Sequence, residues 1–293
     1  MKNSSQHSPL FCLSDIVHLL GSTKIFWSLI IFFLLLGAGG IFSLSPHFLK
    51  TKISMFDVPG ESMLLSFSSG HRILIDGGMD DTAAEKLSAQ TPFWNKSLDA
   101  IIVSHSDLDH TSGLPRIVSS FPVKNVFLSG AFAEDSEQKK VFLRLLQEKN
   151  IPITILHATR DFSVGNIQFD VLFPPSALTG IAEGEQNANS LVFRGIFPQT
   201  SILFSGDIEK AGEKSLLTST HKLSSSVLKV AHHGSKTSSS PEFLDAVAPQ
   251  TAFISAEKNN SFGHPHKNTL EALSQRNIVF HITGREGNID FSF

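Results

Sequence analysis

Residues 98–104, Leu-Asp-Ala-Ile-Ile-Val-Ser, form a short apolar run that opens onto His105-Ser106-Asp107-Leu108-Asp109-His110-Thr111-Ser112-Gly113. The apolar part reads as a buried strand. Directly after it, His105, Asp107, Asp109 and His110 crowd four metal-capable side chains into six residues. A strand that ends in a turn can aim several such groups at one point. Imidazole and carboxylate donors suit zinc, manganese or iron, and the lack of sulfur argues against an iron–sulfur cluster. The bland alternative is a polar turn of solvated Asp and His.

Recurrence weakens that alternative. Ile202-Leu203-Phe204 ends in Ser205-Gly206-Asp207, Val227-Leu228-Lys229-Val230-Ala231 ends in His232-His233-Gly234-Ser235, and Ala252-Phe253-Ile254 is followed by Gly263-His264-Pro265-His266. Each hydrophobic strand delivers an ionisable tip. An α/β scaffold builds one site from distant sequence in this way. Around these tips, three strands are expected in quick succession (53–58, 63–68, 72–76). Helices and strands then alternate, including a clear amphipathic helix over 134–149 with Val141, Phe142, Leu145 and Leu146 on one face. The pattern repeats loosely in the second half. It predicts two mixed sheets with outer helices, an αββα four-layer sandwich over residues 53–293.

Ahead of that region, Ile25 to Leu44 is a run of 20 residues without a charge. At 1.5 Å per residue it would span roughly 30 Å, a bilayer core. The expectation is a single-pass transmembrane anchor at 25–44, with Trp27 near one interface and 1–24 as a short N-terminal segment. A cleaved signal peptide and a buried core helix are the competing readings. Lys24 flanks one side and Lys50 and Lys52 the other, so charge votes only weakly on orientation. Beyond residue 52 the chain holds 20 basic and 26 acidic residues, which does not describe a broad nucleic-acid-binding surface. The single cysteine, Cys12, lies outside the expected catalytic region, so no disulfide framework or thiolate ligand arises there.

Taken in order, Ile-Asp-Gly-Gly (75–78), Ser-His-Ser-Asp-Leu-Asp-His (104–110), Phe-Ser-Gly-Asp (204–207), Leu-Lys-Val-Ala-His-His-Gly-Ser-Lys-Thr-Ser-Ser-Ser (228–240) and Gly-His-Pro-His (263–266) resemble the metallo-β-lactamase superfamily. Within it, the match is to the soluble domain of ComEC-type competence proteins. The resemblance covers about 53–293 and implies an αββα sandwich with two divalent ions, Zn²⁺ or Mn²⁺, between the sheets. By that likeness His105 and Asp107 hold the first ion, Asp109 and His110 the second, and Asp207 bridges both. One of His232 and His233 completes the second. The third His usual at the first ion is missing, and Asn187 occupies its place in chain order, which implies a more oxygen-rich site. Asp76 is expected to support a ligand His from behind.

Two departures from the family stand out. Its usual first turn, Asp-Val-Gly-Gln-Gly-Asp-Ser, is here the shorter Asp57-Val58-Pro59-Gly60-Glu61-Ser62. Also, ComEC proteins carry a multi-helix channel ahead of this domain, whereas this chain has one apolar segment. It would then be a split relative working with a separate channel subunit, a truncated relative, or a stand-alone anchored hydrolase.

The chemistry expected is two-metal phosphodiester hydrolysis. Asp109 and Asp207 are the candidates to orient the nucleophile. His264, with Ser235, Lys236 and Asn187, would hold the substrate or donate to the departing oxygen. DNA is the first substrate expected. A small or envelope-linked phosphodiester is the second, and a non-catalytic module of a DNA-uptake complex the third. β-Lactam hydrolysis is not expected without the three-His site. By family analogy the domain faces away from the cytoplasm.

Overall fold

The computed structural model describes residues 27–34, 50–130, 132, 135–176 and 186–293. The expected 1–24 segment and most of the expected 25–44 anchor lie outside the described residues. Residues 27–34 are helical, with Trp27, Phe32, Phe33 and Leu34 exposed. Among the described residues no helix is long and apolar enough to cross a membrane. Residues 1–49 and 50–293 form two separate units.

Among the described residues of the second unit, fourteen strands make two seven-stranded sheets. The strands are β1 (Lys52–Met55), β2 (Met63–Ser66), β3 (Arg72–Ile75), β4 (Ala100–Val103), β5 (Val126–Ser129), β6 (Ile153–Leu156), β7 (Phe162–Val164), β8 (Ile167–Phe173), β9 (Val192–Ile196), β10 (Ser201–Phe204), β11 (Val227–Lys229), β12 (Thr251–Ile254), β13 (Val279–Ile282) and β14 (Ile289–Ser292). One sheet runs β14-β1-β2-β3-β4-β5-β6 and the other β13-β12-β11-β10-β9-β8-β7. In each, an antiparallel meander passes into parallel pairing, at β3–β4 and at β10–β11. The change occurs where helices begin to cover the sheet, because parallel strands need a crossover.

Side-chain alternation explains the layers. Ile73 and Ile75 enter a central core while Leu74, between them, faces an outer one. Ala100 and Ile102 point inward, and Ile101 and Val103 point outward. The inner face meets Phe169, Phe193, Phe204 and Phe253 of the second sheet. The first outer core is closed by helices α1 (Thr82–Gln90), α3 (Leu114–Ser120) and α4 (Glu137–Glu148), while the single turn α2 (Leu108–Thr111) lies outside it. On the far side, α5 (Lys210–Thr218), α6 (Pro241–Val247) and α7 (Lys267–Gln275) cover Leu203, Leu228 and Ala252. With both faces of each sheet buried, the strands read as continuous apolar runs, as the sequence shows. The four-layer αββα arrangement over the domain is as expected.

Differences are local. The first strand stops at Met55, three residues before the expected end, because Phe56 N–H donates to Ser62 O at 3.0 Å and closes the turn between β1 and β2. In α4 the cap is Ser136, whose Oγ accepts from Lys139 N, so the helix starts at Glu137 and not at residue 134. The expected Ser240 cap of α6 is present and accepts from Phe243 N.

Candidate metal centre

Three of the ionisable tips follow directly on the carboxyl ends of β4, β10 and β11, and the two sheets bring these ends together. After β4 the chain passes through His105 and the extended Asp107 into the single turn of α2, which places Asp109 and His110. Asp207 follows β10 through Gly206. That glycine has φ +48°, and a Cβ on it would lie 2.8 Å from the Ser190 Cβ, so the close approach needs glycine. Following β11, His232 and His233 both adopt left-handed backbone, φ +50° and +53°. Two consecutive non-glycine residues in that region are strained, and such strain persists where surrounding contacts fix it. Here His233 Nδ1 donates to Ser255 O at 2.9 Å.

The geometry resolves which of the paired histidines faces the cluster. His233 Nε2 lies 3.1 Å from Asp109 Oδ2 and 3.3 Å from Asp207 Oδ2. His110 Nε2 lies 3.7 Å and 3.5 Å from the same two oxygens. His232 points elsewhere: its Nε2 is 3.4 Å from Asn187 Nδ2, and its Nδ1 is 3.5 Å from Glu209 Oε1. These four nitrogen–oxygen separations, 3.1 to 3.7 Å, bracket the donor–donor spacing of a tetrahedral site with 2.0–2.1 Å bonds, about 3.3–3.4 Å.

Proton placement gives a second test of fit. His110 Nδ1 lies 2.9 Å from Asp76 Oδ2 and must donate to it. Asp76 in turn accepts from Ser104 N at 2.8 Å and Ser104 Oγ at 2.7 Å. With Nδ1 of both His110 and His233 committed as donors, each Nε2 lone pair faces carboxylates. Buried His110 Nε2 and His105 Nε2 have no hydrogen-bond partner. Lone pairs crowded against carboxylate oxygens repel unless a cation lies between them. Burial disfavours charge on His110, yet Asp207, Asp109 and Asp76 raise its pKa well above the ordinary imidazole value. Burial likewise opposes ionisation of Asp207, but Lys229, His233 and His110 hold it well below the carboxylate range. The site demands positive charge, and a divalent ion bound there would displace protons from the histidines.

His105 and Asp107 form the adjoining pair, with Nε2 3.6 Å from Asp107 Oδ2 and the His105 and His110 rings 4.1 Å apart. Asp76→Asn removes the acceptor that orients His110. Metal affinity is expected to fall about 10–100-fold, read by chelator competition, while the fold is retained.

Sequence reasoning missed two residues here. Lys229 is buried, with Nζ 2.6 Å from Glu61 Oε2 and 3.2 Å from Asp207 Oδ1, and it donates to Gly206 O at 2.8 Å. Glu61, His110, Asp207 and His233 each offer one atom within a 4.8 Å cluster. Glu61 is nevertheless engaged by Lys229 and approaches His233 from the Nδ1 side, at 3.9 Å, so Asp109 is the better fourth ligand. A signal for Lys229 existed: a lysine inside a strand otherwise apolar on both faces needs a buried anion. The altered turn at 57–62 is a clamp on the ligand loop. Glu61 N–H donates to Asp109 O at 3.0 Å, and a Cβ on Gly60 (φ +78°) would lie 2.0 Å from that same oxygen.

A cleft of about 500 Å³ opens over the cluster, lined among others by Asp107, Asp109, Asp207, His232, His233 and His264. Three expected substrate residues are not among its lining. Ser235 is buried, its Oγ 3.0 Å from Thr237 Oγ1. Lys236 is exposed, with only its backbone N–H tied to His266 Nδ1. Asn187 sits on a short 3₁₀ turn against His232. Polar loop side chains follow local turn hydrogen bonds, which chain order does not reveal.

His264 does line the cleft. Burial, with His233 and His232 nearby, pushes its pKa down to about 4. At neutral pH the ring is uncharged and can donate one N–H, but it cannot hold a phosphate as a cation. Its ring resonances are expected to titrate near pH 4, not near the ordinary 6.5, by long-range ¹H–¹⁵N NMR. Because the unfolded ring binds a proton more readily, this group withdraws stability as the pH falls from 6.5 toward 4.

Residues 56–257 match the metallo-beta-lactamase superfamily profile. The chain belongs to that superfamily. ComE operon protein 3 of Bacillus subtilis is 32% identical over 198 residues, 68% of this chain and 25% of that protein. Competence protein ComA of Neisseria gonorrhoeae is 28% identical over 237 residues, 79% of this chain and 30% of that protein. The chain therefore spans a quarter to a third of these relatives' length. It shares its fold with the metallo-beta-lactamase fold protein YhfI of Bacillus subtilis, at a TM-score of 0.56 and 12% identity, covering 83% of this chain and all of that one. The ComEC-like resemblance read from the motifs stands, and a metal-dependent hydrolase is the class to which fold and cluster point.

Proposed function

We propose that this chain is a phosphodiesterase that cuts DNA, using two divalent ions, Zn²⁺ or Mn²⁺. The observation that carries the reading is Asp207, buried between His110 and His233 on one side and Lys229 on the other. Asp109, His110 and His233 would hold one ion, His105 and Asp107 the other, with Asp207 shared. Bound there, divalent ions supply Lewis acidity toward a phosphoryl oxygen and make water nucleophilic at neutral pH. Asp109 and Asp207 orient that water as acceptors. Neutral His264, at the cleft wall, donates an N–H toward the departing oxygen. Lys229 fixes the Asp207 carboxylate without reaching substrate, and Asp76 fixes His110.

The competence names of the relatives support DNA as substrate. Attachment to the membrane through 25–44, with the domain facing outward beside a separate channel subunit, belongs to the same proposal. A smaller or envelope-linked phosphodiester is the second reading. It is favoured by a cleft lining that, among the described residues, holds Asp107, Asp109, Asp207 and Glu257 but no Lys or Arg. Cleavage of single- and double-stranded DNA with Mn²⁺ or Zn²⁺, compared with a chromogenic phosphodiester, separates the two. DNA left intact while the small ester turns over rejects the first reading.

A further inference from the structure

Phe262 is 75% exposed, on the loop between β12 and α7 that forms one wall of the cleft. Its position is held firmly. Asn260 Oδ1 accepts from His264 N at 2.8 Å, and Asn260 Nδ2 donates to His264 O at 2.6 Å, so one side chain pinches the loop around Phe262. The Phe262 ring lies 22° from the plane of His264 at 5.7 Å, and His264 lies 18° from His233 at 6.0 Å. Three nearly parallel rings therefore lead from the metal cluster to the mouth of the cleft. Met79, 45% exposed on the loop after β3, lines the same cleft.

An exposed aromatic face gains nothing from water. It gains from a flat partner with a π surface, and a nucleobase is such a partner. Beyond the divalent ions of the reading above, other affinity sources in the cleft are limited, because among the described residues its lining has no Lys or Arg to neutralise a phosphate. Neighbours of the ring, Asn259, Asn260 and Ser261, are polar, which suits the hydrogen-bonding edges of a base better than an apolar peptide or a lipid. In a duplex the base faces are already covered by stacking. Accordingly, and resting on the phosphodiesterase reading above, we propose that Phe262 is the stacking platform for a base next to the cut phosphate, so that the preferred substrate is single-stranded nucleic acid or a frayed end.

Fluorescence anisotropy tests this with the full-length chain in mild detergent, with Ca²⁺ as the cation. The probes are a labelled oligothymidylate, an abasic strand of equal length and a duplex. Phe262→Ala is expected to weaken oligothymidylate binding about tenfold and to leave abasic-strand binding unchanged. Phe262→Trp is expected to match the wild type. Wild type is expected to favour the single strand over the duplex. Equal oligothymidylate binding by wild type and Phe262→Ala overturns the platform alone. So does an equal loss on the abasic strand, or a wild-type preference for duplex. No binding of any probe by wild type overturns the platform and the DNA reading together.

Discussion

Asp207→Ala is expected to abolish metal-dependent hydrolysis. Asp207 Oδ2 lies within 3.5 Å of both His110 Nε2 and His233 Nε2, while Oδ1 meets Lys229. Removing it takes away the carboxylate that faces both His110 and His233, and leaves Glu61 as the remaining ion-pair partner of Lys229 among the described residues. Metal contributes several kcal/mol to transition-state stabilisation, so kcat/KM should fall about 10³-fold or more. Bound metal measured by plasma mass spectrometry should fall with it. Asp207→Asn keeps the shape without the charge and should lose activity to a similar degree. Activity within tenfold of wild type would contradict the assignment of Asp207.

The largest stability effect is expected at Lys229. Its ammonium is buried between Glu61 and Asp207, and burial lowers its pKa less than the two carboxylates raise it. Lys229→Met leaves two buried carboxylates with their shared cation gone. Breaking a buried pair from one side costs about 3–5 kcal/mol. For a domain of this size that lowers Tm by roughly 6–20 °C. Saturating divalent metal should recover part of the loss, since a cation on Asp207 replaces some of the missing charge. A melt that is unchanged both with chelator and with metal would show that Lys229 is not the central counter-charge.

Much of the architecture was legible because the physics behind it is local. Runs such as Ala100–Val103 and Ile202–Phe204 are apolar on both faces, which only a sheet covered on both sides explains. Strand ends carrying His and Asp were visible as strand ends, so a set of candidate ligands could be named before any geometry. The choice between His232 and His233 was not legible. Consecutive residues on a left-handed turn have no periodicity that sorts them, and the Ser255 carbonyl, just past the end of β12, fixes His233 inward. Lys229 and Glu61 are far apart in sequence, and their pairing needs the two sheets to meet. Ser235, Lys236 and Asn187 are not among the cleft lining that their motif context implied: Ser235 Oγ meets Thr237 Oγ1, Lys236 is exposed, and Asn187 Nδ2 lies 3.4 Å from Nε2 of the cleft residue His232.

Metal stoichiometry and DNA cleavage measured side by side, on wild type and on Asp109→Ala/His110→Ala, bear most directly on the central claim. Two bound divalent ions per chain in wild type, with ion content and strand cleavage both lost in the double variant, is the predicted result. Wild type that binds no metal, or cleavage that persists in the double variant, would contradict it.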